Sequence, residues 1–170
     1  HNVGPGDLFL FFGWFKNYSM KGSDLHHLFG WLQIEEIIAG SEAIIAYLKK
    51  NNISHPHGYG DISKFSNNTI YVAKKYLEIN EKKVFAKGHG LFKRTHSDLI
   101  LTEENKTRSR WKMPSKYFSN TEELFLNRMR WENEMELTIF YRGFGQEFIL
   151  DIEKNPQVMN WALNLIKKHG

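Results

Sequence analysis

Two apolar segments near the start of the chain predict a pair of β-strands. Leu8–Phe12 is a continuous apolar run after the Gly6–Asp7 turn, and such a run is typical of a strand buried on both faces. A second run extends from Leu28 to Ile34 and continues to Ile38. Gly30, inside this run, predicts a bulge or the close approach of another backbone segment. The two strands together are typical of a meander that opens a small barrel.

Helical spacing of apolar residues occurs twice. The first stripe includes Ile44 and Leu48; Ser41 is the predicted N-cap, and the helix should end near Asn51. The second helix is predicted to follow Asn155 as its N-cap, with Pro156 in the first helical position. Its apolar face consists of Val158, Trp161, Ala162, Leu165 and Ile166.

The rest of the chain reads as short strands and loops, so the predicted fold class is α+β. Residues 55–68 form a long polar loop, and residues 81–97 are irregular and basic. A helix is predicted from Thr121 to about Arg130. Four further segments have strand composition: Thr69–Ala73, Asp98–Thr102, Glu136–Arg142 and Glu147–Ile152.

Length and composition are those of one globular domain, which we assign to residues 1–170. Apolar residues make up 41 % of the chain and charged residues 25 %. The 23 Lys and Arg exceed the 19 Asp and Glu, which gives a net charge of +4 and permits a nucleic-acid partner without requiring one. The five Trp are mostly expected in the core, but a flat ring in a pocket can also stack on a base.

Two absences narrow the class of protein. The chain has no cysteine, which excludes disulfides, thiolate nucleophiles and cysteine zinc sites. No apolar run approaches the roughly 20 residues that cross a bilayer, so we predict a cytoplasmic protein without a membrane partner. The sequence begins at His1 without an initiator Met, and an upstream segment or a partner chain could complete the domain.

The first candidate for chemistry is the pair His55 and His57, which flank Pro56. Histidines can serve as acid and base near neutral pH, with Glu147 as a candidate partner carboxylate. A zinc site needs three or four ligands, so this pair alone predicts no metal site. The alternative interpretation is a polar loop with incidental histidines.

Three further segments are candidates for ligand binding. The side-chain amides and the phenol at residues 67–71 can hydrogen-bond to a base edge; the alternative is an Asx turn that ends the loop. The cations of Lys106–Trp111 can hold phosphate while the ring stacks on a base; the alternative is a solvated basic loop. The two glycines of the turn at residues 142–147 can let its backbone approach a ligand closely; the alternative is an ordinary hairpin turn. The candidate ligand-binding residues are Trp14, Trp31, Asn68, Tyr71, Arg108, Arg110, Trp111, Arg142 and Gln146.

Several blocks resemble the third nucleotide-modification-associated domain family. They are Gly6–Phe15, Phe29–Gln33, Asn68–Ala73, Arg108–Pro114 and Gly145–Phe148. The blocks keep the family's order across most of the chain. The resemblance implies a setting beside enzymes that modify bases in phage and bacterial DNA. A looser similarity to PUA, EVE and ASCH domains implies a small PUA-like or EVE-like β-barrel with flanking helices and an aromatic base pocket.

Three functions are consistent with these observations. The favoured one is a module that binds a nucleic acid or nucleotide and recognises a modified or unmodified base in a DNA-modification or phage-defence setting. Trp14, Trp31 and Trp111 would then stack, while the other candidates read the base edge or hold phosphate. The alternatives are an enzyme that acts on a base, a nucleotide or a nucleotide-derived cofactor, and a protein-interaction module of a phage or defence system.

Overall fold

The computed structural model describes residues 3–16, 24–59, 67–108, 110–118, 129–133, 136–140 and 149–170. Nine strands and two α-helices occur among these residues, which confirms the predicted α+β class. The strands are β1 Leu8–Phe15, β2 Leu25–Ala39, β3 Thr69–Ala73, β4 Tyr76–Ile79, β5 Lys82–Lys87, β6 His89–Leu91, β7 Arg110–Met113, β8 Met129–Asn133 and β9 Glu136–Phe140. The helices are α1 Ser41–Asn51 and α2 Pro156–His169.

The strands form three sheets. In the four-stranded sheet, β2 pairs with β1, β3 and β6. The two-stranded sheet consists of β4 and β5, and in the three-stranded sheet β9 lies between β7 and β8. The β2–β3 pairing is antiparallel, with Ala39 opposite Thr69 and Ile34 opposite Ala73. The described strands do not close into a barrel.

The chain divides into two compact units, and the boundaries fall inside β1, β2 and β6. The first unit contains Leu10–Gly30 and Gly90–Gly170; the second contains residues 3–9 and Trp31–His89. No helix within the described residues combines the length and apolar character needed to cross a membrane.

The first unit has its own apolar core, to which β2, β7 and α2 contribute. Two α2 residues, Val158 and Leu165, pack into it, and Trp161 lies against its edge. Its other buried members are Leu28, Leu99, Leu101, Trp111, Met113 and Phe118. Each buried Val, Leu or Met side chain contributes roughly 1.5–3 kcal/mol, so this core fixes α2 on the unit.

The second unit is organised around α1 and one buried amide. Ile44 and Leu48 of α1 pack on Ile38 of β2. Gln33 is buried, and its Nε2 donates to the carbonyl oxygens of Gly6 and Glu78, at 2.9 and 2.8 Å. Its Oε1 accepts from the backbone N–H of Glu78 at 2.8 Å. One side chain therefore satisfies three backbone groups within this unit.

Several sequence predictions are confirmed locally. Strand β3 has the predicted bounds, α1 ends at Asn51 with a left-handed Asn52 after it, and α2 starts at Pro156 after Asn155. The predicted close approach at Gly30 is also present, because a Cβ there would lie 2.8 Å from the Gly90 carbonyl oxygen.

Other predictions were wrong. Helix α1 begins at Ser41 itself, and its N-cap is Gly40, whose φ of 88° is a backbone conformation that suits glycine. Residues 81–97 contain β5 and β6 rather than irregular chain. A tight turn with φ of 49° at Asn80 and 62° at Glu81 reverses the chain between β4 and β5, without the Asn-Gly signature of such turns.

The strand predicted at Asp98–Thr102 is replaced by a 3₁₀ turn at Ser97–Leu99. The turn forms because the imidazole Nδ1 of His96 accepts the backbone N–H of Asp98 at 3.1 Å, as an N-cap does. Residues 149–152 are not a strand, and Met129 and Arg130, predicted as a helix end, lie in β8. The rest of that predicted helix lies outside the described residues.

Candidate functional site

A cavity of about 670 Å³ opens in the first unit. Three segments line it: the chain around the 3₁₀ turn, the end of β7 with the turn that follows, and one face of α2. The lining residues are Ser97, Asp98, Ile100, Leu101, Lys112, Met113, Pro114, Ser115, Lys116, Tyr117, Trp161, Asn164, Leu165 and Lys168. Its volume is within the range of small-molecule sites.

The cavity is lined by more positive than negative charge. Lys112, Lys116 and Lys168 contribute three ammonium groups, against the one carboxylate of Asp98. An ammonium is a compact charge with three donors, well suited to phosphate oxygens. The lining therefore favours an anionic ligand.

Aromatic and amide groups stand among these lysines. The Lys116 ammonium lies 4.7 Å from the centre of the Tyr117 ring, and the Tyr117 hydroxyl accepts from Asn164 Nδ2 at 3.4 Å. Hydrogen bonding to Lys116, and then to Asn164, lowers the pKa of the Tyr117 phenol. Trp161 is held by an edge-to-face contact with Phe118, with ring centres 5.2 Å apart. The cavity thus offers a fixed indole and a polarised phenol beside the charges.

Asp98, in the cavity lining, is also the centre of a charged cluster. Its Oδ2 accepts from Lys168 Nζ at 2.6 Å and lies 3.2 Å from His169 Nε2. These hydrogen bonds, the one from Lys168 first, lower the pKa of the Asp98 carboxyl. His96 Nδ1 lies 3.5 Å from the same oxygen.

Among the predicted ligand-binding residues, Trp14 and Arg108 are in contact. The central carbon of the Arg108 guanidinium lies 4.2 Å from the centre of the Trp14 ring, whose residue is 50 % exposed. Lys16 Nζ is 5.9 Å from the same ring centre. The Asp24 carboxylate oxygen Oδ2 lies 3.9 Å from Nη1 of Arg108. This arrangement combines an indole with two cations on the surface of the first unit.

The two other candidate tryptophans and Arg110 have structural partners. Trp111 is buried and donates from Nε1 to His26 Nδ1 at 2.9 Å. Trp31 is buried in the second unit and donates to the Lys87 carbonyl oxygen at 3.0 Å. Arg110 Nε pairs with Glu103 Oε2 at 2.5 Å. These contacts account for the two rings without a ligand.

His55 and His57 are close together in the second unit. Their ring centres are 5.0 Å apart, and His55 Nδ1 accepts the backbone N–H of His57 at 3.2 Å. Asn68 Nδ2 donates to the His57 carbonyl oxygen at 3.1 Å, which joins two predicted site residues. Tyr71 is partly exposed and makes an edge contact with Phe9. Arg142, Gln146 and Glu147 lie outside the described residues.

Sequence reasoning missed most of the cavity. It noted the basic segment Lys106–Trp111, which ends just before Lys112, but assigned Trp161 only to the core face of a helix. It did not single out Asn164 or Lys168. The available signal was a basic stretch and an amphipathic helix, and nothing in either pattern showed that the two would face each other.

Comparison with known families matches residues 1–151 to the family model of nucleotide modification associated domain 3. No curated protein and no solved structure matches the chain significantly.

Proposed function

Because the chain belongs to the nucleotide modification associated domain 3 family, we propose that it binds a nucleotide, or a nucleotide unit of a nucleic acid, where DNA is modified or phage are resisted. The observation that carries this proposal is the cavity of the first unit, whose lining includes three lysines together with an indole and a phenol. A phosphorylated aromatic ligand needs this combination of groups.

The phosphate and the base of a nucleotide each have a candidate partner in the cavity. Lys112, Lys116 and Lys168 would bind the phosphate, since the attraction of ammonium to phosphate does not depend on base identity. The Trp161 ring would contact the base, and base–aromatic contacts are worth about 1–3 kcal/mol. Asn164 offers an amide that can both donate to and accept from a base edge.

Titration calorimetry with nucleoside monophosphates and the matching nucleosides tests this proposal. We expect the monophosphates to bind more tightly than the nucleosides, and Lys116→Met to weaken monophosphate binding by about tenfold, or about 1.4 kcal/mol. Lys167→Met is the matched control, because Lys167 is an exposed lysine of α2 outside the cavity lining. Equal effects of the two substitutions, or no preference for the phosphate, would contradict the proposal.

The Trp14–Arg108 contact supports an extended form of the same function. A stacking ring beside two cations suits a base and the adjoining phosphates of a single strand. Binding of a short single-stranded oligonucleotide should then weaken in Trp14→Leu, while binding of a monophosphate stays the same. Equal loss for both ligands would contradict this form.

The enzyme alternative keeps His55 or His57 as acid or base; Glu147, the partner carboxylate that the sequence suggested, lies outside the described residues. The 5.0 Å between the histidine ring centres favours it. Product formation from nucleotides, lost in both His55→Gln and His57→Gln, would support it. A PUA-like or EVE-like barrel stays a prediction, which a crystal structure of the full chain tests.

A further inference from the structure

Two histidines and one carboxylate come together at the C-terminal end of α2. His96 and Asp98 belong to the 3₁₀ turn segment, and His169 is the last residue of α2. One donor atom from each lies within 4.8 Å of the other two. None of the three had a role in the sequence interpretation, and the nucleotide proposal does not require the two histidines.

We propose that His96, Asp98 and His169 form a binding site for a divalent transition-metal ion of the zinc class. Imidazole nitrogen and carboxylate oxygen are ligands that zinc accepts, at about 2.0–2.2 Å. Two donors on one tetrahedral ion at that length are about 3.4 Å apart. Asp98 Oδ2 is 3.2 Å from His169 Nε2 and 3.5 Å from His96 Nδ1, so both histidine–carboxylate separations are close to those of two ligands on one zinc ion.

The backbone around the cluster is held in place before any metal binds. Lys93 donates its backbone N–H to the His169 carbonyl oxygen at 3.2 Å, and its Nζ donates to the Gly170 carbonyl oxygen at 2.9 Å. The His169 side chain is only 9 % exposed, which restricts its rotamers. The three ligands therefore come from two segments that are already joined.

Two existing interactions compete with the ion. Lys168 Nζ donates to Asp98 Oδ2, the oxygen that faces both histidines, and the Asp98 N–H occupies the lone pair of His96 Nδ1. A metal ion that uses these atoms must displace both hydrogen bonds. Removing the Lys168 ammonium removes one competitor and a like charge, so it should strengthen metal binding.

The test uses the untagged full chain, freed of metal with a chelator and titrated with Zn²⁺ by calorimetry and with Co²⁺ by visible absorption. We expect one ion per chain, and binding at least about tenfold weaker in Asp98→Asn and in His169→Gln. Lys168→Met should bind more tightly than the unsubstituted protein. The Lys168 side chain is 60 % exposed, so the Lys168→Met variant should fold normally.

The chain supplies a matched control. His55 and His57 also lie close together, but no acidic residue completes a group of three ligands with them among the described residues. The His55→Gln, His57→Gln double variant should therefore keep its zinc affinity. Absence of stoichiometric binding, or binding that Asp98→Asn and His169→Gln leave unchanged, would overturn the proposal, whatever the result with nucleotides.

Discussion

The guanidinium of Arg108 lies over the indole ring of Trp14, 4.2 Å from its centre, although the two residues come from distant parts of the sequence. Lys16 approaches the same ring only to 5.9 Å. A guanidinium is flat and weakly hydrated, so it gains more than an ammonium from contact with an aromatic face. The pair therefore helps to fix the end of β1 on the first unit, in addition to any role with a ligand.

This contact should be measurable as a coupling energy. A double-mutant cycle of Trp14→Leu and Arg108→Gln in urea unfolding should give about 0.5–1 kcal/mol, the range for exposed cation–π pairs. The corresponding cycle with Lys16→Gln is the control and should give less. Equal coupling in the two cycles would show that the close stacking has no special value.

Gln33 should contribute more to the free energy of unfolding than an exposed polar side chain does. Gln33→Leu leaves the Gly6 and Glu78 carbonyl oxygens and the Glu78 N–H without their partner. These backbone groups are partly buried, and leaving a buried group unpaired costs about 1–3 kcal/mol, so we expect Gln33→Leu to lower the free energy of unfolding in urea by about 1–3 kcal/mol. Gln157→Leu, an exposed change of the same chemistry in α2, should stay within about 0.5 kcal/mol. A similar small effect at Gln33 would contradict this interpretation.

Gly88 should tolerate no side chain. A Cβ there would lie 2.2 Å from the Lys74 carbonyl oxygen, and backbone cannot move aside as a flexible side chain can. We expect Gly88→Ala to lower the free energy of unfolding by about 1–3 kcal/mol or more. Gly4→Ala is the control, because nothing lies within 4 Å of the added carbon. A Gly88→Ala protein as stable as this control would show that the approach is not that close.

Stability should fall as the pH drops below about 7. Burial, and then the charge of Arg108, lowers the pKa of His26 below 6.5; burial also lowers that of His27. Near pH 6.5 the unfolded chain therefore binds protons that the folded chain does not bind. The free energy of unfolding falls from this pH down to the pKa that the histidines have in the folded state. Thermal unfolding from pH 7.5 to 5 should show this slope, reduced in His26→Gln. A melting temperature that rises toward pH 5 would contradict it.

Elements with complete local signals were predictable from the sequence. Asn155 and Pro156 start α2 as expected, and the β-branched run Thr69–Ala73 forms β3. Errors occurred where one side chain or an unusual turn decides the conformation. The imidazole of His96 caps a 3₁₀ turn in place of a strand, and Asn80 and Glu81 adopt left-handed conformations without a glycine.

The candidate sites were less predictable than the fold, for a physical reason. The cavity and the histidine–carboxylate cluster both need α2 to lie beside residues 96–117, and such long-range packing leaves no mark in local spacing. Trp31 was a candidate because of its aromatic type, and Trp111 because its ring ends a basic segment. Their burial depends on the partners Lys87 and His26, which no local pattern identifies.

Helix α2 lies beyond residue 151, where the family match ends, yet it supplies Trp161, Asn164 and Lys168 to the cavity. The matched domain therefore contains the cavity residues between 97 and 117, whereas the part of the wall that α2 forms lies after it in the sequence. Two proteins with the same matched domain can carry different segments at this position and so differ in what they bind. To group such proteins by ligand, one must therefore compare the segments that follow the matched domain, because family membership does not specify these segments.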